Sequence, residues 1–140
     1  MLLMRNGKNL VEINLISNRL LEYTPDLTKH PFPEYLRFGI PVCLNTDDAG
    51  VWDSDIVDEY YTAVKTFNLS WPEIVQMGRD SLTYSFAQPD VKERMLREYD
   101  AAVRKFEKKY STEWPRALSG VKPVSSGYAA RNFHVSFAVR

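Results

Sequence analysis

The chain of 140 residues carries 18 Lys and Arg against 18 Asp and Glu, a formal net charge of zero, and 44% of it is hydrophobic. That balance describes a globular chain of one domain at most, and it lacks the basic excess that recognises polyanions, so no nucleic-acid partner is expected. No apolar run spans a bilayer, the opening MLLMRNGKNL lacks the core of a secretion signal, and the lone Cys43 rules out an internal disulfide. No membrane partner is expected, and these features favour the cytosol.

In chain order, residues 11–18 (VEINLISN) alternate as a strand, with Val11, Ile13 and Leu15 on one face and Glu12 and Asn14 on the other. A polar loop turns at Thr24-Pro25-Asp26. Residues 31–38 predict a short helix that Gly39 stops. Residues 40–46 predict a second strand, Val42 and Leu44 facing one way and Cys43 and Asn45 the other. Ile56, Tyr60, Val64 and Phe67 are spaced for one face of a helix after Asp53-Ser54. Ser70-Trp71-Pro72-Glu73 is a capping box, and Ile74, Val75 and Met77 line the inner side of the helix it opens. Pro89-Asp90 opens a third helix with the stripe Val91, Met95, Tyr99, Val103 and Phe106. From Ser111 the pattern decays. Residues 118–140 show no helical period, and 134–139 could pair as a strand.

The order strand, helix, strand, helices predicts a βαβ unit with parallel strands. The second strand ends in "LNTDDAG", two adjacent carboxylates followed by glycine. In a closed (β/α) barrel the polar strand faces point inward, and carboxylates at a strand's C-terminal end stand where such barrels do chemistry. A bare Asp-Asp pair is also what loops and caps contain.

Residues 9–110 resemble the C-terminal part of the adenosine deaminase family, above all its bacterial growth-factor-like members. The similarity is carried by "VEINLISN", "HPFPEYLRFGIPVCLNTDDAGV", "EYYTAVKTFNLSWPEIVQMGRDSLTYSF" and "KERMLREYDAAVRKFEKKY", in order. The resemblance implies an α/β fold: the last two βα units of a (β/α)8 TIM-type barrel plus C-terminal helices, incomplete as a barrel. Residues 1–110 would be that portion and residues 111–140 a tail of unknown role. It further implies a zinc-dependent hydrolase converting adenosine and water to inosine and ammonia. Asp47 would be the carboxylate ligand of one zinc ion, and Asp48 would contact the purine N7. N7 is an acceptor, so Asp48 would hold a proton, as a carboxyl beside another in a dry site does. Gly50 would let the turn approach the ligand.

The sequence departs from the family in lacking its His-X-His pair, its "HAGE" segment with the proton-shuttling glutamate, and its "HG" histidine. Its two histidines are His30, read as a helix-start residue, and His134 in the unmatched tail. One protein ligand does not hold a catalytic zinc, which takes about three. A closed barrel needs eight strands and roughly 250 residues, and Met1 falls about where the family's sixth βα unit ends. The expectation is a C-terminal segment of a purine deaminase, inactive alone, with a purine nucleoside as ligand once the barrel is completed. A signal upstream would change the compartment to secreted or periplasmic. The competing expectations are a half-barrel that associates with an N-terminal half or with itself, and a portion of an AMP or adenine deaminase.

Four groups of residues have bland readings beside these. Glu12 and Asn14 would point into the barrel near the site and either orient its ligands or fill the barrel as ordinary polar pairs. Ser17 and Asn18 end the first strand at the mouth or simply belong to its turn. Trp52, Trp71 and Trp114 are too widely separated for a stacking surface and read as packing residues. Of Tyr60 and Tyr61, one belongs to the core.

Overall fold

The computed structural model describes residues 1–112, 114–122 and 124–134. Helix α1 (Leu2–Asn6) leads into strand β1 (Val11–Ile13), and β2 (Val42–Leu44) pairs with it in parallel, Val11 opposite Val42 and Ile13 opposite Leu44. Between them run α2 (Leu15–Leu20), a 3-10 turn (Leu27–Lys29) and α3 (Phe32–Arg37). Thus the expected parallel βαβ unit is present. Asp26 caps the 3-10 turn, its Oδ1 accepting from Thr28 N at 3.1 Å, and Gly39 ends α3 with φ of +66°, a left-handed conformation that glycine adopts without a Cβ clash.

The first strand is shorter than its alternation predicts. It stops at Ile13, and Leu15, Ile16 and Ser17 form the buried first turn of α2. A six-residue helix is too short for its period to stand out from strand alternation. Ser17 and Asn18 therefore lie on a helix rather than at a strand end. Past β2, the chain makes α4 (Ala49–Trp52), α5 (Ile56–Phe67), α6 (Trp71–Thr83) and α7 (Pro89–Thr112). Two acidic caps set these helix starts. Asp55 Oδ1 accepts from Asp58 N at 2.9 Å while Asp58 Oδ2 accepts from Asp55 N at 3.1 Å. Glu73 Oε2 accepts from Ser70 N at 2.7 Å, as the capping-box spacing predicts.

The core gathers Ile13, Leu15, Leu27, Phe32, Val42, Leu44, Ala63 and Met77, with Phe32 edge-on to Phe67 at 5.2 Å. Tyr60 packs against it, whereas Tyr61 meets Phe133. Helix α6 lies along β2, so Cys43 is buried as well as Val42 and Leu44, and burial pushes its thiol pKa up. On α5 the buried face differs from the predicted stripe: Ile56 is exposed, while Asp58, Glu59, Thr62 and Ala63 are inside. Helix α7 buries no residue completely; Tyr99 anchors it, its hydroxyl donating to the Val75 carbonyl at 2.9 Å.

The tail, expected to lack helix, forms α8 (Trp114–Ser119) and α9 (Gly127–Phe133). Ser126 caps α9 by accepting from Ala129 N at 2.9 Å, and Tyr128 and Ala129 are buried. With only these two residues buried on seven, α9 gave no period to read. It packs on α5, and Arg131 pairs with Asp53 at 2.7 Å. His134 follows as its left-handed cap, and the rest of the strand expected over 134–139 lies outside the described residues. No helix among the described residues is long and apolar enough to cross a membrane.

Candidate active site

Both aspartates follow β2 at its C-terminal end, as the sequence predicts, but they do not lie side by side as equals. Asp47 adopts φ of +52°, a left-handed conformation that Asp and Asn tolerate better than most residues. Its Oδ2 accepts from Ser17 Oγ at 2.7 Å. The Ser17 side chain, 1% exposed, comes from the first turn of α2, so the contact joins the helix that follows β1 to the loop that follows β2. Asp48 caps α4 through its carbonyl, which accepts from Val51 N at 2.8 Å, while its carboxylate makes no cap bond. Both aspartates are exposed, so the residues of this chain do not supply the dry surroundings expected for a protonated Asp48. Among the described residues, a Cβ on Gly50 would meet nothing within 4 Å.

The supporting residues divide. Glu12 is exposed on β1. Asn14 is half-buried, and its amide, turned to satisfy its neighbours, donates to the Asn45 carbonyl at 3.1 Å, tying the two strand ends together. His30 is buried with both ring nitrogens engaged: Nδ1 accepts from Phe32 N at 3.1 Å and Nε2 lies 3.0 Å from Asn18 Oδ1. That pattern requires a neutral ring with its proton on Nε2, and burial lowers its pKa. It starts α3, as the bland reading has it. The three tryptophans do not converge: Trp71 stacks on Phe106 at 4.8 Å and donates to Glu107 at 2.9 Å, and Trp114 is 57% exposed.

Sequence reasoning missed Glu59. It is 0% exposed, and its Oε2 and Oε1 accept from Leu15 N and Ile16 N, each at 3.0 Å. Burial pushes its pKa up to about 7, against the pull of those two N–H groups, with the charges of Asp58 and Asp47 adding to the rise. The only signal was position: Glu59 stands one turn before Ala63 on the inner face of α5, inside "DEYY" where a charge reads as surface.

These side chains do not make a metal site by themselves. Among the described residues no three His, Cys, Asp or Glu come together to hold an ion. Asp47 is a single carboxylate, His30 is engaged on both nitrogens, and a zinc centre needs about three protein ligands.

The family model described as adenosine deaminase matches residues 2–102. The chain belongs to the adenosine deaminase family. It is 29% identical over 100 residues to an adenosine deaminase of Enterococcus faecalis, covering 71% of this chain and 30% of that one. Against an N6-methyl-AMP deaminase of Danio rerio it is 34% identical over 85 residues, covering 61% and 24%. The structure is similar to the crystal structure of an adenine deaminase from Arthrobacter aurescens, with a TM-score of 0.67 at 29% identity, covering 72% of this chain and 31% of that one. The chain thus spans under a third of the deaminases it matches. The described fold is mixed α/β, rich in helix, with a small parallel sheet.

Proposed function

We propose that this chain carries the aspartate-bearing portion of a zinc-dependent purine deaminase, the last two βα units of a (β/α)8 barrel with the helices that follow. Residues 1–110 form that portion and residues 111–140 a tail added to it. The observation that carries the reading is Asp47 past the C-terminal end of β2, oriented by Ser17 from the first turn of α2, in a chain of this family. Barrel enzymes place reacting groups at this end of parallel strands. Asp47 supplies one carboxylate to a metal centre, and Asp48, unbonded at the start of α4, supplies a contact to the purine ring. When bound, the zinc of the complete site would activate water for attack at the purine C6, replacing the amino group and releasing ammonia. The remaining ligands and the proton shuttle come from outside residues 1–140, in the same polypeptide or from a second chain.

The substrate is an aminopurine, with adenosine first because of the family match; adenine and AMP-type substrates are supported by the names of two relatives. A second reading, a non-catalytic half-barrel that docks a partner or a second copy, is supported by the two-stranded sheet, whose outer edges present unpaired backbone groups.

Ammonia release decides between them. The chain with adenosine and zinc is expected to give none, and turnover by the chain alone would overturn its assigned dependence on outside ligands. Mixed with the part of the Enterococcus faecalis enzyme that it does not match, it is expected to release ammonia. Asp47→Ala should abolish that release, and Asp48→Ala should lower it about 100-fold or more. A complex without turnover favours the half-barrel reading, and no complex sinks both.

A further inference from the structure

The first turn of α2 is capped from an unusual distance. The leading N–H groups of any helix lack partners within it, and a side chain at the N-cap position commonly supplies one. Here that position is Asn14, a residue type well suited to the task, yet its side chain makes no cap bond. Both N–H groups are met instead by Glu59 of α5, 43 and 44 residues along the chain, one carboxylate oxygen to each at 3.0 Å. Burying a carboxylate is costly even when it is hydrogen-bonded, and a local Asn cap would satisfy part of this need without that cost.

A remote cap does what a local one does not: it ties α2 to α5. The residue after Ile16 is Ser17, whose hydroxyl holds Asp47 Oδ2 at 2.7 Å. Asp47 leads through α4 into α5, and α5 carries Glu59. The contacts therefore close a ring from Asp47 through α4 and α5 to Glu59, across to the first turn of α2, and through Ser17 back to Asp47. The inner members are inaccessible, Glu59 at 0% and Ser17 at 1% exposure, while Asp47 stands exposed at the outer end of the ring.

We propose that Glu59 is a positioning residue for Asp47: by clamping the Leu15 and Ile16 N–H groups it sets the place of Ser17, which sets the rotation of the Asp47 carboxylate. The importance of that carboxylate rests on the reading given under Proposed function; the clamp itself does not.

Glu59→Gln tests the clamp by nuclear magnetic resonance on the whole chain, with no metal, substrate or partner added. The variant keeps the size and one carbonyl acceptor, but its NH2 group confronts a backbone N–H, donor against donor. Amide exchange at Leu15 or Ile16 is expected to speed about 10-fold or more, in line with an orphaned buried donor. Exchange at Ala63 and Met77, both in the core, reports the change in overall stability and should speed by less. The decisive signal is the carboxylate carbon of Asp47. It should move in the same direction as it does in Ser17→Ala, and Ser17→Ala should leave the Leu15 and Ile16 amides protected. In the double variant the Asp47 signal should move no further than with Ser17→Ala alone, because the two act in series. Freed amides with an unmoved Asp47 signal would overturn the proposal and leave Glu59 a helix cap only. Should Glu59→Gln not fold, Glu59→Asp keeps the charge, shortens the reach by one methylene, and is read on the same probes with the same overturning result. An ammonia assay that fails leaves this test untouched, and an unmoved Asp47 in a chain that supports turnover removes the clamp alone.

Discussion

Two buried titratable residues give the protein opposed pH dependences. Glu59 has a folded pKa of about 7 against an ordinary 4.5 because burial outweighs the Leu15 and Ile16 N–H donors. The folded state then holds a proton that the unfolded state has lost, so stability falls as pH rises from about 4.5 to about 7 and is level above, by on the order of 3 kcal/mol in all. The groups facing Glu59 are Asp58 on its own helix, Asp47 beyond β2, and Tyr128 of α9 with Arg19 of α2 beside it. His30 runs the other way. Burial lowers its pKa from the ordinary 6.5, and a proton on Nδ1 would remove the acceptor of Phe32 N–H. Its contribution is complete above about 6.5 and is lost as pH falls below that. Urea midpoints measured from pH 4.5 to 8 should lose their downward slope above pH 5 in Glu59→Gln and their acid-side fall in His30→Asn. A slope unchanged in Glu59→Gln would mean that its carboxyl titrates normally.

At the scale of elements, the contact between α6 and α7 is set by a missing side chain. A Cβ on Gly78 would collide with the Tyr99 ring, whose hydroxyl is bonded to the Val75 carbonyl. Gly78→Ala gains about 1 kcal/mol of helix propensity and loses about 1–3 kcal/mol to overpacking. The expected net change is a destabilisation of about 1 kcal/mol. Tyr99→Phe in the same chain should recover part of that loss, because the hydroxyl is the first atom struck; strict additivity would refute the collision. The glycine gave no warning in the sequence, since close approach is a tertiary fact. The elements that were legible are those with chemical punctuation or length: the capping box at Ser70, Gly39 after α3, Pro89 opening α7. Those that were not are short. Leu15 to Ser17 continued an alternation that a distant carboxylate interrupts, and α4 and α9 have too few residues for a period. The site divides in the same way. Asp47 and Asp48 were visible as adjacent charges at a strand end, whereas Glu59 was hidden because its role depends on backbone groups 43 and 44 residues away.

At the scale of the molecule, α9 is part of the folded body. Tyr128 is 2% exposed, Phe133 lies edge-on to Tyr61 at 5.4 Å, and Ser126 bonds to Asp58. These contacts fasten α9 to the start of α5, just past the aspartate loop, although the family match ends at residue 102. A chain ended after Gly120 should lose about 2 kcal/mol, the worth of one buried aromatic side chain, read as a lower urea midpoint. An unchanged midpoint would show that α9 contributes nothing to stability. The two-stranded sheet sets the opposite expectation: among the described residues no third strand pairs with β1 or β2, and open strand edges of that kind invite association.

The left-handed backbone at Asp47 also constrains what mutation can do there over generations. Asp and Asn both suit that conformation, and an Asn side-chain oxygen can still accept the Ser17 hydroxyl, in a weaker, neutral bond. Val or Ile would carry a penalty of about 1–2 kcal/mol for the backbone alone. The two codons differ by a single base, so the smallest genetic step at 47 removes the charge without disturbing the backbone. Charge is therefore the one property at 47 that an exchange for Asn removes while the backbone stays as it is.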